Sequence, residues 1–313
     1  MKVTGFSMLK KTRLLMNSAV VVAALGAGAA VVFAQWADYP TAGPRTKEGK
    51  IDPAAPPPRT PDGKIDFTGL WEPARGGGPG AGQGKGQGKG QAKGTPPAGT
   101  PAAPPPAPAK PSFADNGEPP VGQFFNIGAG FKEGLPPMTP WAAQVRAQRK
   151  ADDNKDNPDA HCMPLGLTQL HMHPQPRKIL QTSQAIVILY EANGNTRQIM
   201  MDGRSLPKND PTPWWYGYSV GHWDGDTLVI ETTGFRDDVW LDVEGSPLTS
   251  TGKMTERWRR PTFGSMQIDV TIEDPKAYTK PFTIRVNHRL MADTELMEFV
   301  CEERDAVHYG VKK

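Results

Sequence analysis

Cysteine is scarce in this chain. Its 313 residues include two, Cys162 and Cys301, so one disulfide is the most it can close on itself. Long apolar runs are confined to the first 34 residues, and nothing after them is apolar enough to span a membrane. A basic excess is missing as well. Lys and Arg number 36 against 33 Asp and Glu, but four bases lie in 1–34 and five in 75–110, two stretches without an acid. The rest holds 27 bases against 33 acids, a balance that argues against nucleic-acid binding. There is no P-loop, dinucleotide fingerprint or zinc-protease helix. Gly217-Tyr-Ser-Val-Gly221 spells Gly-x-Ser-x-Gly, but Ser219 lies inside an alternating strand pattern and not at a strand–turn–helix elbow.

What is present begins with an export signal. Lys10, Lys11 and Arg13 precede an Ala/Gly/Val-rich run from Asn17 to Phe33, and Val32 and Ala34 suit cleavage before Gln35. Residues 1–34 therefore read as a secretory signal, with an uncleaved anchor as the alternative, and the protein as periplasmic or secreted. In that setting Cys162 and Cys301 pair most simply as a disulfide. It would close about 140 residues and contribute on the order of 4 kcal/mol. The alternative is a reactive or metal-binding Cys162, beside His161 and Met163.

Residues 35–66 read as an extended Pro-rich arm with a short duplication, Arg45-Thr-Lys-Glu-Gly-Lys-Ile-Asp52 recurring as Arg59-Thr-Pro-Asp-Gly-Lys-Ile-Asp66. A first strand at 67–74 follows. From Arg75 to Lys110 no hydrophobic side chain exceeds alanine, so 75–112 is expected to be a disordered linker. Its spaced lysines offer contact with an anionic envelope polymer. A single β domain is expected over 113–306 and a tail over 307–313.

Thr139-Pro140 caps a helix over 140–152. Strands are expected at 178–182, 185–191, 196–202, 217–223, 226–232, 253–259, 266–273, 282–290 and 295–303. Asp224-Gly225 marks a hairpin with Trp223 and Asp226 as its closing pair. That register sets His222 against Thr227, Val220 against Val229 and Tyr218 against Glu231, and puts all six on one face. Short connections without helical crossovers predict a mostly β chain. The expected form is an antiparallel up-and-down, calycin-like barrel or strongly bent sheet, with a β-sandwich as the alternative.

Gly69-Leu70-Trp71 resembles the Gly-x-Trp opening of lipocalins and other calycin-type barrels. A broader likeness covers 62–72 and 134–303. It rests on Asp202-Gly-Arg-Ser-Leu-Pro207, Gly221-His-Trp-Asp-Gly-Asp-Thr-Leu-Val-Ile-Glu-Thr232, Glu256-Arg-Trp-Arg-Arg260, Asp274-Pro-Lys-Ala-Tyr-Thr-Lys-Pro281 and Cys301-Glu-Glu303. In these the chain resembles a large group of exported bacterial proteins known only as uncharacterised. It departs from their pattern at Ser246-Pro-Leu-Thr-Ser250, where a Pro-His-Ser is expected. The resemblance implies export and no particular reaction.

Several residues suit chemistry. His171-Met-His173 would put two imidazoles on one strand face and bind a metal ion with a third ligand from His161, His222 or His288. No other cofactor is indicated. His288 shares a face with Phe282, Ile284, Val286 and Leu290, and suits either a hydrogen-bonded core or a lumen acid, base or ligand group. Glu256, between Met254 and Trp258, and Glu298, between Leu296 and Val300, must be paired or raised in pKa. Arg197, Arg257 and Arg285 are the candidate partners. Arg204 could hold a carboxylate, Trp214, Trp215 and Tyr216 could stack on a flat ring or a sugar, and Trp258 is a further ligand-binding candidate. The expectation is a pocket for a small apolar or aromatic molecule. One alternative is cofactor-free hydrolysis, isomerisation or elimination by Tyr218, His222, Glu231, Glu256 or His288. Another is a cell-envelope interaction protein with a filled barrel.

Overall fold

A computed structural model describes residues 39–74, 118–208 and 213–301. The signal-like segment 1–34, the linker 75–112 with its lysines and the tail 307–313 lie outside the described residues. In chain order the elements are β1 (Gly69–Pro73), α1 (Pro140–Ala151), α2 (Leu167–Met172), β2 (Arg177–Gln181), β3 (Ala185–Tyr190), β4 (Thr196–Met200), β5 (Tyr218–Asp224), β6 (Thr227–Thr233), β7 (Val239–Trp240), β8 (Pro247–Leu248), β9 (Lys253–Thr262), β10 (Ser265–Glu273) and β11 (Phe282–Leu290). Strands β1-β11-β10-β9-β6-β5-β4-β3-β2 close a barrel in that order, and β7–β8 form a separate ribbon. The mostly β barrel is as the sequence suggests, and the sandwich alternative is set aside.

Its connectivity is not purely up-and-down. β4 and β5 run parallel, with Ile199 beside Ser219 and Met200 beside Val220. The other barrel ladders are antiparallel. β1 closes the cylinder: Trp71 pairs with Arg177 of β2 on one side and Leu290 of β11 on the other. The strand expected over 295–303 does not form through 294–300, and Glu298 there is exposed. β11 already has β10 and β1 on its two edges, so it offers no ladder for another strand.

Alternation decides which residues enter the lumen. Along β9, Met254, Glu256, Trp258 and Arg260 are buried while their neighbours are half-exposed, the period-2 pattern of a strand between core and solvent. The hairpin of β5 and β6 pairs Asp224 with Thr227, His222 with Val229, Val220 with Glu231 and Tyr218 with Thr233. Each partner lies two residues beyond the expected one. Gly225 (φ +59°) sits in the first central position of the turn and Asp226 keeps a negative φ, the arrangement of a II′ turn and not a I′ turn. A shift of two preserves the faces. Ser219, Gly221, Leu228, Ile230 and Thr232 are buried, whereas His222 is exposed on the opposite face.

α1 starts where Thr139 accepts a hydrogen bond from Ala142 N (3.2 Å) and Pro140 takes the first position. α2 was not foreseen. His171 and His173 stand at its last turn and C-cap, not on a strand. Gly166 opens this short helix, and His173 is extended (φ −62°, ψ +134°), the conformation imposed on a residue before proline, here Pro174. All six α2 residues are buried. Thr168 and Gln169 bond the carbonyls of Leu241 and Trp240 (2.6 and 3.1 Å), tying the helix to β7.

The duplicated segment is not simply extended. Each copy closes a turn by a bridge, Arg45 with Ile51 and Arg59 with Ile65. In each, the first arginine donates to a carbonyl of its own turn, Gly49 or Gly63, at 2.8 Å. Each also clasps one carboxylate with both terminal nitrogens, Asp293 for Arg45 and Asp226 for Arg59. Ile51 and Ile65 are buried beneath. Two similar sequences, differing at Lys47/Pro61 and Glu48/Asp62, thus make two similar clips.

Cys162 and Cys301 form a disulfide with Cα atoms 5.6 Å apart, which removes Cys162 from metal binding. It does not fasten the chain to a closing strand, since Cys301 lies in no strand. No helix among the described residues is long and apolar enough to cross a membrane.

Candidate functional site

The inward positions of four strands bring three of the buried charged side chains together with two histidines. β9 contributes Glu256 and Trp258, β4 Arg197, β2 Arg177 and β11 His288; all are 2 % exposed or less. α2 enters one end and delivers His171. Glu256 Oε1 accepts from His171 Nε2 (2.6 Å), Arg197 NH1 (3.1 Å) and Trp258 Nε1 (3.2 Å), and Oε2 accepts from Arg197 NH2. Arg197 also reaches Ser219 Oγ and Thr232 Oγ1. Arg177 donates to His171 Nδ1 (3.2 Å) and to the His171 carbonyl (3.0 Å). The same carbonyl accepts from His288 Nε2 (2.8 Å).

This network assigns a neutral His171, with its proton on Nε2 toward Glu256 and its Nδ1 lone pair toward Arg177. Burial lowers the His171 pKa, against the pull of Glu256. Burial, with Arg177 and His171 nearby, pushes His288 well below its ordinary value. For Glu256 burial alone would raise the pKa, but Arg197 and His171 outweigh it and hold the carboxyl below the usual range. Burial brings Arg177 down to about 10, still charged at neutral pH. The cluster thus holds two cations and one anion.

A side chain lining a water-sized void keeps some exposed surface. Trp71, Trp258, Ile188, Ile199, Ile230, Ile268 and Ile284 keep none. No water-sized void lies beside these side chains, as expected of a close-packed interior. A base of strongly depressed pKa, sealed from solvent, is poorly placed for proton transfer near neutral pH. What the cluster does well is hold β2, β4, β9, β11 and α2 in one register.

Of the sequence candidates, Glu256, His288, His171 and Trp258 converge here, and Arg197 is the partner foreseen for Glu256. Arg257 and Arg285 pair instead with Asp224 and Asp269. Tyr218, His222 and Glu231 share a face as expected, but it is the outer one. Glu231 pairs with Lys253 (2.6 Å), and Tyr218 accepts from Arg204 (3.0 Å), which also clasps Asp202. Trp214 is half-exposed, while Trp215 lies 4.6 Å from the guanidinium of Arg236. His173 packs edge-on to Phe124. Among the described residues no group of three or more His, Cys, Asp and Glu is arranged to hold a metal ion. Arg177 and Thr232 went unnoticed in the sequence, and Ser219 was considered only as a nucleophile and set aside. Their parity with Ile179, Gly221 and Ile230 is the signal that would have found them.

A cleft of about 190 Å³ lies elsewhere, lined by Val145, Gln148, Arg149, Asp152 and Asp156 of α1 and the turn after it, and by Trp240 of β7. No protein-family model, curated protein or solved structure matches this chain.

Proposed function

We propose that this chain is an exported binding module that meets its partner through its outer surface, with the barrel as rigid support. One observation carries the reading: the side chains around the buried cluster keep no exposed surface, and the Glu256 carboxylate is already taken up by Arg197, His171 and Trp258. A small apolar ligand inside, or catalysis by Glu256 and His288, would each need space beside residues that keep none. The envelope-interaction alternative requires a filled barrel. Export is supported by the signal-like composition of 1–34 and by the Cys162–Cys301 bond, which suits an oxidising compartment.

Native mass spectrometry of the protein purified from its own host tests this. The expected result is the mass of the bare, disulfide-bonded chain. A stoichiometric small molecule that leaves only on unfolding would place a ligand in the lumen and overturn the reading.

A further inference from the structure

The cleft beside α1 contains a cation that makes no direct ion pair among the described residues, although Asp242, Asp238 and Asp156 act on it from a distance. Arg149 is held in place from three sides. Its guanidinium lies 4.3 Å from the centre of the Trp240 ring, and its NH1 donates to the Gly245 carbonyl at 3.0 Å. Its stem packs on Gly245, where a Cβ would come within 2.8 Å of Arg149 Cδ. Gly245 also has φ +88°, so this close approach needs glycine. Arg149 forms no ion pair among the described residues, in contrast to Arg146 one turn earlier, which is paired with Glu244. Burial brings its pKa down to about 10, so the group is charged and partly desolvated. A fixed, unpaired guanidinium at the wall of a cleft is preorganised for a carboxylate.

The other charged groups lining the cleft are Asp152 and Asp156, both exposed. Two carboxylates would repel a simple anion, and Arg149 would repel a simple cation. A molecule carrying both signs satisfies both walls. The volume of about 190 Å³ equals roughly six waters at about 30 Å³ each and falls below the range of drug-sized pockets. We propose that this cleft binds a small zwitterion of the α-amino acid class, its carboxylate on Arg149 and its ammonium on Asp152 and Asp156. This deepens the surface-binding reading and rests on it.

Glycine titration of the full chain, followed by the NMR signal of the Trp240 indole N–H, tests the proposal. Acetate and methylammonium serve as half-ligands bearing one charge each. Saturable shifts with glycine are expected, at least about tenfold weaker for either half-ligand and for Arg149→Gln and Asp156→Asn, as the loss of one charge-assisted contact requires. Thermal melts check that each variant folds; if Arg149→Gln does not, Asp156→Asn, at an exposed position, carries the test. No saturable shift, acetate binding as well as glycine, or a folded variant binding as tightly as the parent would each overturn it. Such a failure removes the amino-acid class, whereas a ligand found in the lumen removes the surface-binding reading itself.

Discussion

Glu256→Gln probes the buried cluster with almost no change of shape. The carboxylate receives four donor contacts: one from His171, two from Arg197 and one from Trp258. A glutamine keeps one carbonyl oxygen. Its amide nitrogen turns a donor toward donors at the other position, and each buried donor left unpaired costs about 1–3 kcal/mol. Arg197, 2 % exposed, loses its only counter-charge, and breaking a buried pair on one side typically costs about 3–5 kcal/mol. These contributions overlap, so the expected loss is about 3–5 kcal/mol. At about 2–4 °C per kcal/mol for a domain of this size, the melting midpoint falls by roughly 6–20 °C. Urea unfolding followed by tryptophan fluorescence, with the disulfide intact, measures it, and an unchanged m-value confirms that stability is what moved. Replacing both partners, Glu256→Leu with Arg197→Met, is expected to cost less than the two single changes together, because no lone charge remains. A loss below about 1 kcal/mol for Glu256→Gln would refute the sealed network.

Two further outcomes follow from the same chemistry. His171 and His288 are neutral in the fold, while an unfolded histidine titrates near pH 6.5. As pH falls below about 6.5 the unfolded chain takes up protons that the folded one refuses, so stability drops by up to about 1.4 kcal/mol per pH unit for each. Glu256 has the depressed-carboxylate sign: its contribution is present above the ordinary carboxylate range and is lost as pH falls through its lower folded pKa. Urea midpoints that stay level between about pH 7 and pH 5 would contradict neutral histidines. For Cys162 and Cys301, alkylation and intact mass should reveal two reactive thiols only after reduction. With the cysteines 139 residues apart in sequence, reduction should lower stability by up to about 5 kcal/mol in the chain-entropy model. Two thiols labelled without reductant would refute the bond.

Local chemistry was legible wherever it sufficed. β11 runs over the expected 282–290, and α1 ends one residue short of expectation at Ala151, because period-2 alternation and a Thr-Pro cap are written in neighbouring residues. The hairpin's faces were legible too, but its register was not. Both Asp224-Gly225 and Gly225-Asp226 can form a two-residue turn, and the backbone placed glycine at the first central position. Alternation says which residues share a face and nothing about which face is inside. His222 could therefore be assigned Tyr218 and Glu231 as neighbours, but not the solvent they all meet.

The larger decisions needed the closed sheet. Only closure through β1 takes both edges of the ladder and leaves 294–300 without a strand to join. Only the barrel gathers Arg177, Arg197, Glu256 and His288 from four strands, and only α2, where the sequence suggested a strand face for His171 and His173, brings His171 among them. Sequence determined the spacing of these charges along their strands. Tertiary structure decided that Glu256 is paired with Arg197 and His171, since a buried carboxylate takes whatever partners the packing sets within hydrogen-bond reach, however far apart they lie in the chain.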